Sequence, residues 1–281
     1  MIAMRRRALT ALAALPLLLA AAAPAAAATA GRAGRAGGPA AAGYVALGDS
    51  YAAGVGAGAY DPASGDCHRS TRGYPALRAA AHPGAAFLDL ACYGATTDQV
   101  RSDQLPLLPA GTGTVTLTVG GNDLDFSDAV VACLQPLTTE SRCDQALDHS
   151  AQLMNDQLPG RLDQLLAAIA RAAPGATVLV TGYPHLLSEH PAGACWTGTD
   201  QRRARFARLA DQLDELIGRQ AAAHGDRFAD PRAAFAGHEV CAGAGHEWIA
   251  GLELVNLWES FHPTAEGQQR GYLPVVEQAL S

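Results

Sequence analysis

No lysine occurs anywhere in the 281 residues; all 20 basic side chains are arginine. Aromatic residues are scarce at 6%, methionine is limited to three, and charged residues make up only 17%. With 27 acids the formal net charge is −7. An acidic chain without a basic stripe is not built to bind polyanions, so no nucleic-acid partner is expected. No C-x-x-C pair occurs, and no Cys/His cluster has finger spacing. His238, Glu239, His246 and Glu247 lack the helical spacing of H-E-x-x-H, so neither metal nor cofactor is expected. The 30 glycines and 16 prolines are too scattered for a collagenous or low-complexity chain.

Long apolar runs are missing too, except at the N-terminus. Arg5, Arg6 and Arg7 precede an apolar stretch from Ala8 to Ala23, and a small-residue run from Pro24 to Ala30 follows. Charged, apolar and A-x-A-like regions in that order read as a secretory signal peptide. The leucine-bearing part falls short of the ~20 residues that span a bilayer, and Pro16 and Pro24 interrupt it. Residues 1–30 are therefore expected to be a signal peptide and 31–42 a flexible leader. Residues 43–281 are expected to form one secreted, extracellular, monomeric domain. Six cysteines remain in that domain, and an even count in an exported chain favours disulfides. Six cysteines admit 15 pairings. The sequence-nearest pairing, Cys67–Cys92, Cys133–Cys143 and Cys195–Cys241, is the expected one.

β-like runs occupy 44–48, 86–90, 114–119 and 177–181, with a short fifth at 228–230, and glycine follows several of them. Between them lie helical stretches, 153–173 with Leu158, Leu162, Leu165 and Leu166, and 201–223 with Phe206, Leu209, Leu213, Leu216 and Ile217. A last helix should follow Pro263-Thr264. Arg202, Arg203, Arg205 and Arg208 read as a solvated helix face. Segments 125–150 and 185–200 read as cysteine-tied insertions. Strands alternating with helices imply an α/β domain with a parallel sheet covered on both faces. Ligands in such sheets sit at the carboxyl ends of the strands.

Four short motifs stand at or near such ends or open the last helix. In Gly48-Asp49-Ser50-Tyr51, a serine just past a strand can present its hydroxyl where free backbone N–H groups favour an anion. In Glu259-Ser260-Phe261-His262-Pro263-Thr264, a neutral imidazole can take a proton from a serine hydroxyl and return it to a leaving group. Glu259 could accept from the second ring nitrogen and fix the tautomer. In Gly120-Gly121-Asn122-Asp123, the Asn122 amide can donate to an oxyanion. In Cys92-Tyr93-Gly94-Ala95-Thr96, Gly94 lets a backbone N–H approach a substrate closely. The Ser50 and Gly94 amides and the Asn122 side chain would together make an oxyanion hole. Asp123 and Asp125 read as loop caps.

These four blocks, in this order from Tyr44 to about Leu280, resemble the SGNH (GDSL-type) hydrolases, and most closely the secreted actinobacterial lipases, esterases and phospholipases A1 among them. The resemblance implies a three-layer α/β/α, flavodoxin-like fold of about five strands and hydrolysis of fatty-acyl esters. It implies Ser50 as nucleophile, His262 as base, and Gly94 and Asn122 as oxyanion donors. It also implies three disulfides in sequential pairing. The family places Asp where this chain has Glu259; in the resembling subgroup a main-chain carbonyl, here that of Glu259 or Ser260, can orient the histidine. Trp196, Trp248, Trp258 and Phe261 are candidate linings of an acyl groove, with ordinary packing as the alternative. Transient contact with lipid surfaces fits this reading. A carbohydrate O-deacetylase would share the same residues, and a non-catalytic secreted binding protein could share the fold.

Overall fold

The computed structural model describes residues 43–134, 138–193, 195–196 and 198–281; the expected signal peptide and leader lie outside the described residues. Five parallel strands, β1 (Tyr44–Gly48), β2 (Phe87–Asp89), β3 (Thr114–Thr118), β4 (Thr177–Thr181) and β5 (Arg227–Ala229), form one sheet in the order β2-β1-β3-β4-β5. β1 and β4 have the bounds expected from sequence; the other three shift or shorten by a residue or two.

Every residue of β1 and all but the first of β3 and β4 are buried, as parallel strands covered on both faces require. Helices α1 (Ser50–Ala53), α2 (Tyr74–Ala81) and α3 (Thr97–Gln99) follow the first two strands. Next come α4 (Phe126–Leu134), α5 (Glu140–Asp156), α6 (Leu158–Ala172), α7 (Asp200–His224), α8 (Arg232–Phe235) and α9 (Leu273–Leu280). α2 packs with α9, while α5, α6 and α7 pack together, giving the α/β/α layering. The chain leaves β1 toward β2 on one side and returns to β3 on the other. That reversal opens a crevice beyond the carboxyl ends of β1 and β3, where such sheets bind ligands.

Two sequence expectations change. The helix expected over 153–173 is two helices broken at Gln157, whose φ of −120° lies outside the helical range. Pro159 explains the break, because proline is at home in a helix's first turn and not in its interior. The 125–150 insertion, tied by Cys133–Cys143 as expected, carries α4 and much of α5. The arginine cluster is not a solvated face. Arg202 and Arg203 are buried, donating to the carbonyls of Thr138 and Gly198 at 2.7 Å each. Arg205 is half-buried against Asp144 and Asp148, and only Arg208 is exposed.

Disulfides join Cys67 to Cys92, Cys133 to Cys143 and Cys195 to Cys241. Cys67–Cys92 closes a 25-residue separation, worth about 3.5 kcal/mol if it acts through the unfolded chain. Replacing both cysteines by serine is expected to lower the calorimetric Tm by roughly 10 °C. An unchanged Tm would show that the link does not stabilise the protein by constraining the unfolded chain.

Candidate active site

Gly48 ends β1 with φ +130°, and a Cβ there would lie 2.2 Å from the Thr118 carbonyl oxygen of β3. Only glycine fits. The buried Gln104 side chain clamps its peptide, accepting from Gly48 N–H and donating to Gly48 C=O at 2.8 Å each. Asp49 then caps α1, its carboxylate accepting the Tyr51 N–H at 2.9 Å. Ser50 is the first residue of that helix, and among the described residues its N–H donates to no protein group. An α1 of only four residues ends in the left-handed Gly54 (φ +76°). The strand–turn–helix thus presents the Ser50 hydroxyl in the crevice.

His262 reaches the same place from the opposite end of the chain. Ile249 and Pro263 form an antiparallel bridge, with Ala250 N–H donating to His262 C=O at 2.8 Å and Phe261 N–H to Ala250 C=O at 3.0 Å. Phe261 sits in the left-handed region (φ +61°), which costs a non-glycine residue roughly 1–2 kcal/mol. The Tyr51 hydroxyl donates to the Phe261 carbonyl at 2.8 Å and ties this turn to α1.

The imidazole is held at both nitrogens. Nε2 lies 2.7 Å from Ser50 Oγ, and Nδ1 lies 2.9 Å from the Ser260 carbonyl oxygen. A carbonyl only accepts, so Nδ1 carries the proton and Nε2 is free to take the serine's. Burial pushes the imidazole down from its usual range to about 4, the Ser260 and Glu259 backbone groups pulling the other way. It is therefore neutral at pH 7, as a general base must be.

Of the two orienters the sequence left open, the structure brings up the Ser260 carbonyl, and the Glu259 carboxylate makes no hydrogen bond to the imidazole. It accepts from the Tyr60 hydroxyl at 2.5 Å and the Asn256 amide at 3.2 Å. Glu259 closes a short 3-10 turn, Leu257–Glu259, and Ser260 leaves it extended (φ −57°, ψ 136°). This turn brings the Ser260 carbonyl, and not the Glu259 side chain, to Nδ1.

Asn122 follows β3 in a 3-10 turn, and its Nδ2 spends one N–H on the Ala95 carbonyl at 3.0 Å. An amide nitrogen has two N–H groups, so one remains to donate. Gly94 has φ +75° with open space where a Cβ would stand, and among the described residues its N–H has no protein acceptor. Asn122 lines the same groove as Ser50 and His262; beside Gly94 it is the neighbouring Tyr93 that lines it.

The bonds that hold the blocks together escape the sequence reading, which places Asp49 in the serine motif and Asp123 as a loop cap and passes over Tyr183. The buried Tyr183 hydroxyl donates to Asp49 Oδ2 at 2.5 Å and accepts from Gly121 N–H at 3.1 Å, joining the serine block to the asparagine block. Burial raises Asp49 to about 7, against the pull of Tyr183 and the Tyr51 amide. Asp123 accepts from Thr97 N–H (2.9 Å) and hydroxyl (2.6 Å), bracing the asparagine block against the helix after Gly94. Tyr183 had a signal in sequence, since Gly182-Tyr183-Pro184 ends β4 as the other motifs end theirs.

From Ser50 a groove of about 570 Å³ extends between Phe126, Val130 and Leu134 of α4 and Ala210 and Leu213 of α7. Trp196, Trp258 and Phe261 line it. Trp248 does not; it is buried with His238 stacked on it at 3.5 Å.

A flavodoxin-like sheet with a serine hydroxyl hydrogen-bonded to a neutral imidazole at its crevice defines a serine hydrolase. Comparison with known proteins narrows the class. A model of the GDSL-like Lipase/Acylhydrolase family matches residues 46–270. Lipase 1 of Streptomyces coelicolor is 44% identical over 243 residues, 86% of this chain and 88% of that protein. The crystal structure of an extracellular lipase from Streptomyces rimosus is 44% identical, with TM-score 0.78 over 84% of this chain and 98% of that one. That of phospholipase A1 from Streptomyces albidoflavus NA297 is 42% identical, with TM-score 0.80 over 85% and 100%. The chain belongs to the GDSL-like lipase/acylhydrolase family and is a carboxylic ester hydrolase.

Proposed function

We propose that the protein is a secreted, monomeric hydrolase of fatty-acyl esters, a lipase or phospholipase A1, with Ser50 as nucleophile and His262 as base. The observation that carries this is the 2.7 Å contact from Ser50 Oγ to His262 Nε2 at the head of an apolar groove. Oγ attacks the acyl carbon as its proton passes to Nε2. The oxyanion so formed accepts hydrogen bonds from Ser50 N–H, Gly94 N–H and the Asn122 amide. His262 then returns the proton to the leaving alcohol, and the acyl group stays on Ser50. Water, deprotonated by His262, attacks the acyl carbon, and as the acyl–Oγ bond breaks His262 returns that proton to Ser50 Oγ, releasing the fatty acid and restoring the enzyme. The Ser260 carbonyl holds the imidazole in the tautomer both steps need.

Export is supported by the signal-like order of residues 1–30 and by the extracellular origin of the Streptomyces rimosus lipase. The test is hydrolysis of p-nitrophenyl esters from acetate to palmitate. Rates should rise from acetate to medium or long chains, because each buried methylene gains roughly 0.8 kcal/mol in such a groove. Activity confined to acetate would point to a carbohydrate O-deacetylase, and none at any length to a binding protein.

A further inference from the structure

Beside the mouth of the serine groove the fold leaves a set of aliphatic side chains in water. Leu254 is 80% exposed, Val255 93%, Leu257 65% and Leu252 47%, all within seven residues, 251–257. Trp196 and Val131, which line the same groove, are about half exposed. Single exposed aliphatics are ordinary, whereas a group of them at one place marks an interaction surface.

This segment is stapled in place. Glu253 N–H donates to Ser260 Oγ at 2.9 Å, Glu259 N–H to Asn256 C=O at 2.8 Å and Ser260 N–H to Leu257 C=O at 3.2 Å. Its anchor is therefore Ser260, the residue whose carbonyl holds His262. Leu252 and Leu257 line the groove and Leu254 and Val255 do not, so the patch runs outward from the groove's lip.

Charge selects the occupant. The segment has one charged side chain, Glu253, and the chain has a formal charge of −7 without a lysine. An anionic surface or a second copy of an acidic chain would be repelled. An uncharged apolar layer is not.

We propose that segment 251–257, with Trp196 and Val131, seats the protein on an electrically neutral phospholipid surface, so that an acyl chain passes from the lipid layer into the groove. The inference rests on the ester-hydrolase reading above. Its test is flotation of the Ser50→Ala protein with zwitterionic phosphatidylcholine vesicles, compared with Ser50→Ala carrying Leu254→Asp and Val255→Asp as well. The parent should float, and the two aspartates should weaken partitioning by at least about tenfold. With Ser50 intact, Leu254→Asp/Val255→Asp should keep the rate on a dissolved short-chain ester within about twofold, which also reports folding, and lose about tenfold on vesicle phospholipid. Unchanged flotation of the variant overturns the proposal, as does binding to anionic vesicles alone. A dimer in sedimentation that the variant dissolves would make the occupant a second copy and overturn it too. A wild type that hydrolyses no ester would instead sink the catalytic reading, since the flotation result does not depend on turnover.

Discussion

Replacing Ser50 or His262 by alanine is expected to lower kcat for ester hydrolysis by on the order of 10⁴–10⁶-fold, the loss seen when a member of a serine–base pair is removed. Glu259→Ala is expected to stay within about tenfold of wild type, because its carboxylate serves Tyr60 and Asn256, and the imidazole is oriented by a backbone carbonyl that no substitution at 259 deletes. The pH profile separates the roles further. A base must be neutral, so kcat/KM should hold from neutrality down to about pH 5 and fall through a midpoint near 4, where burial has brought His262. The Glu259 charge favours the imidazolium, so removing it should move that limb to lower pH, not higher. Equal losses in Glu259→Ala and His262→Ala would give the orienting role back to the carboxylate. An acid limb near 7 would assign the limiting titration to Asp49, which burial raises into that range.

Much of the fold was legible because its signals are local. β1 and β4 are short, mostly apolar runs ended by glycine, and three of the four motifs follow the strands β1, β2 and β3. The alternation of strands and helices gave the parallel sheet, though its order had to come from the structure, since periodicity does not say on which side a strand is added. What escaped was the polar scaffolding under the site. The Asp49–Tyr183 bond spans 134 positions and the Tyr51–Phe261 bond 210, and neither partner's identity implies the other. Gln104, buried on the Gly48 peptide, lies in a π-helical turn with no motif around it. The arginines of α7 misled for a related reason: four in seven residues suggest a solvated face, yet two of them are buried on loop carbonyls that no local pattern reveals. At Glu259 spacing left two orienters open, the carboxylate and a main-chain carbonyl, and could not choose between them. Three residues before the histidine is where a carboxylate would orient it, but the turn at Leu257–Glu259 aims the side chain at Tyr60.

Asn122→Ala is expected to lower kcat by about 10²–10³-fold with little change in KM, the cost of one oxyanion donor. The magnitude follows from when the bond is made. One Asn122 N–H is committed to the Ala95 carbonyl in the resting protein, which fixes the side chain's direction. The other can meet negative charge only once attack has created it, so its loss falls on the transition state and not on substrate binding. Two backbone donors, at Ser50 and Gly94, would remain, which is why the loss should stop short of that in Ser50→Ala. Asn122→Asp supplies the counter-test. It keeps the size of the side chain while removing both donors and placing an anion beside the oxyanion, so it should be the slower of the two variants. The Ala95 bond would be lost in both, so a Tm shift common to the two would measure the structural share of that contact. Were Asn122→Ala to raise KM while leaving kcat intact, the amide would be a substrate-binding group and the oxyanion hole would consist of the two backbone amides alone.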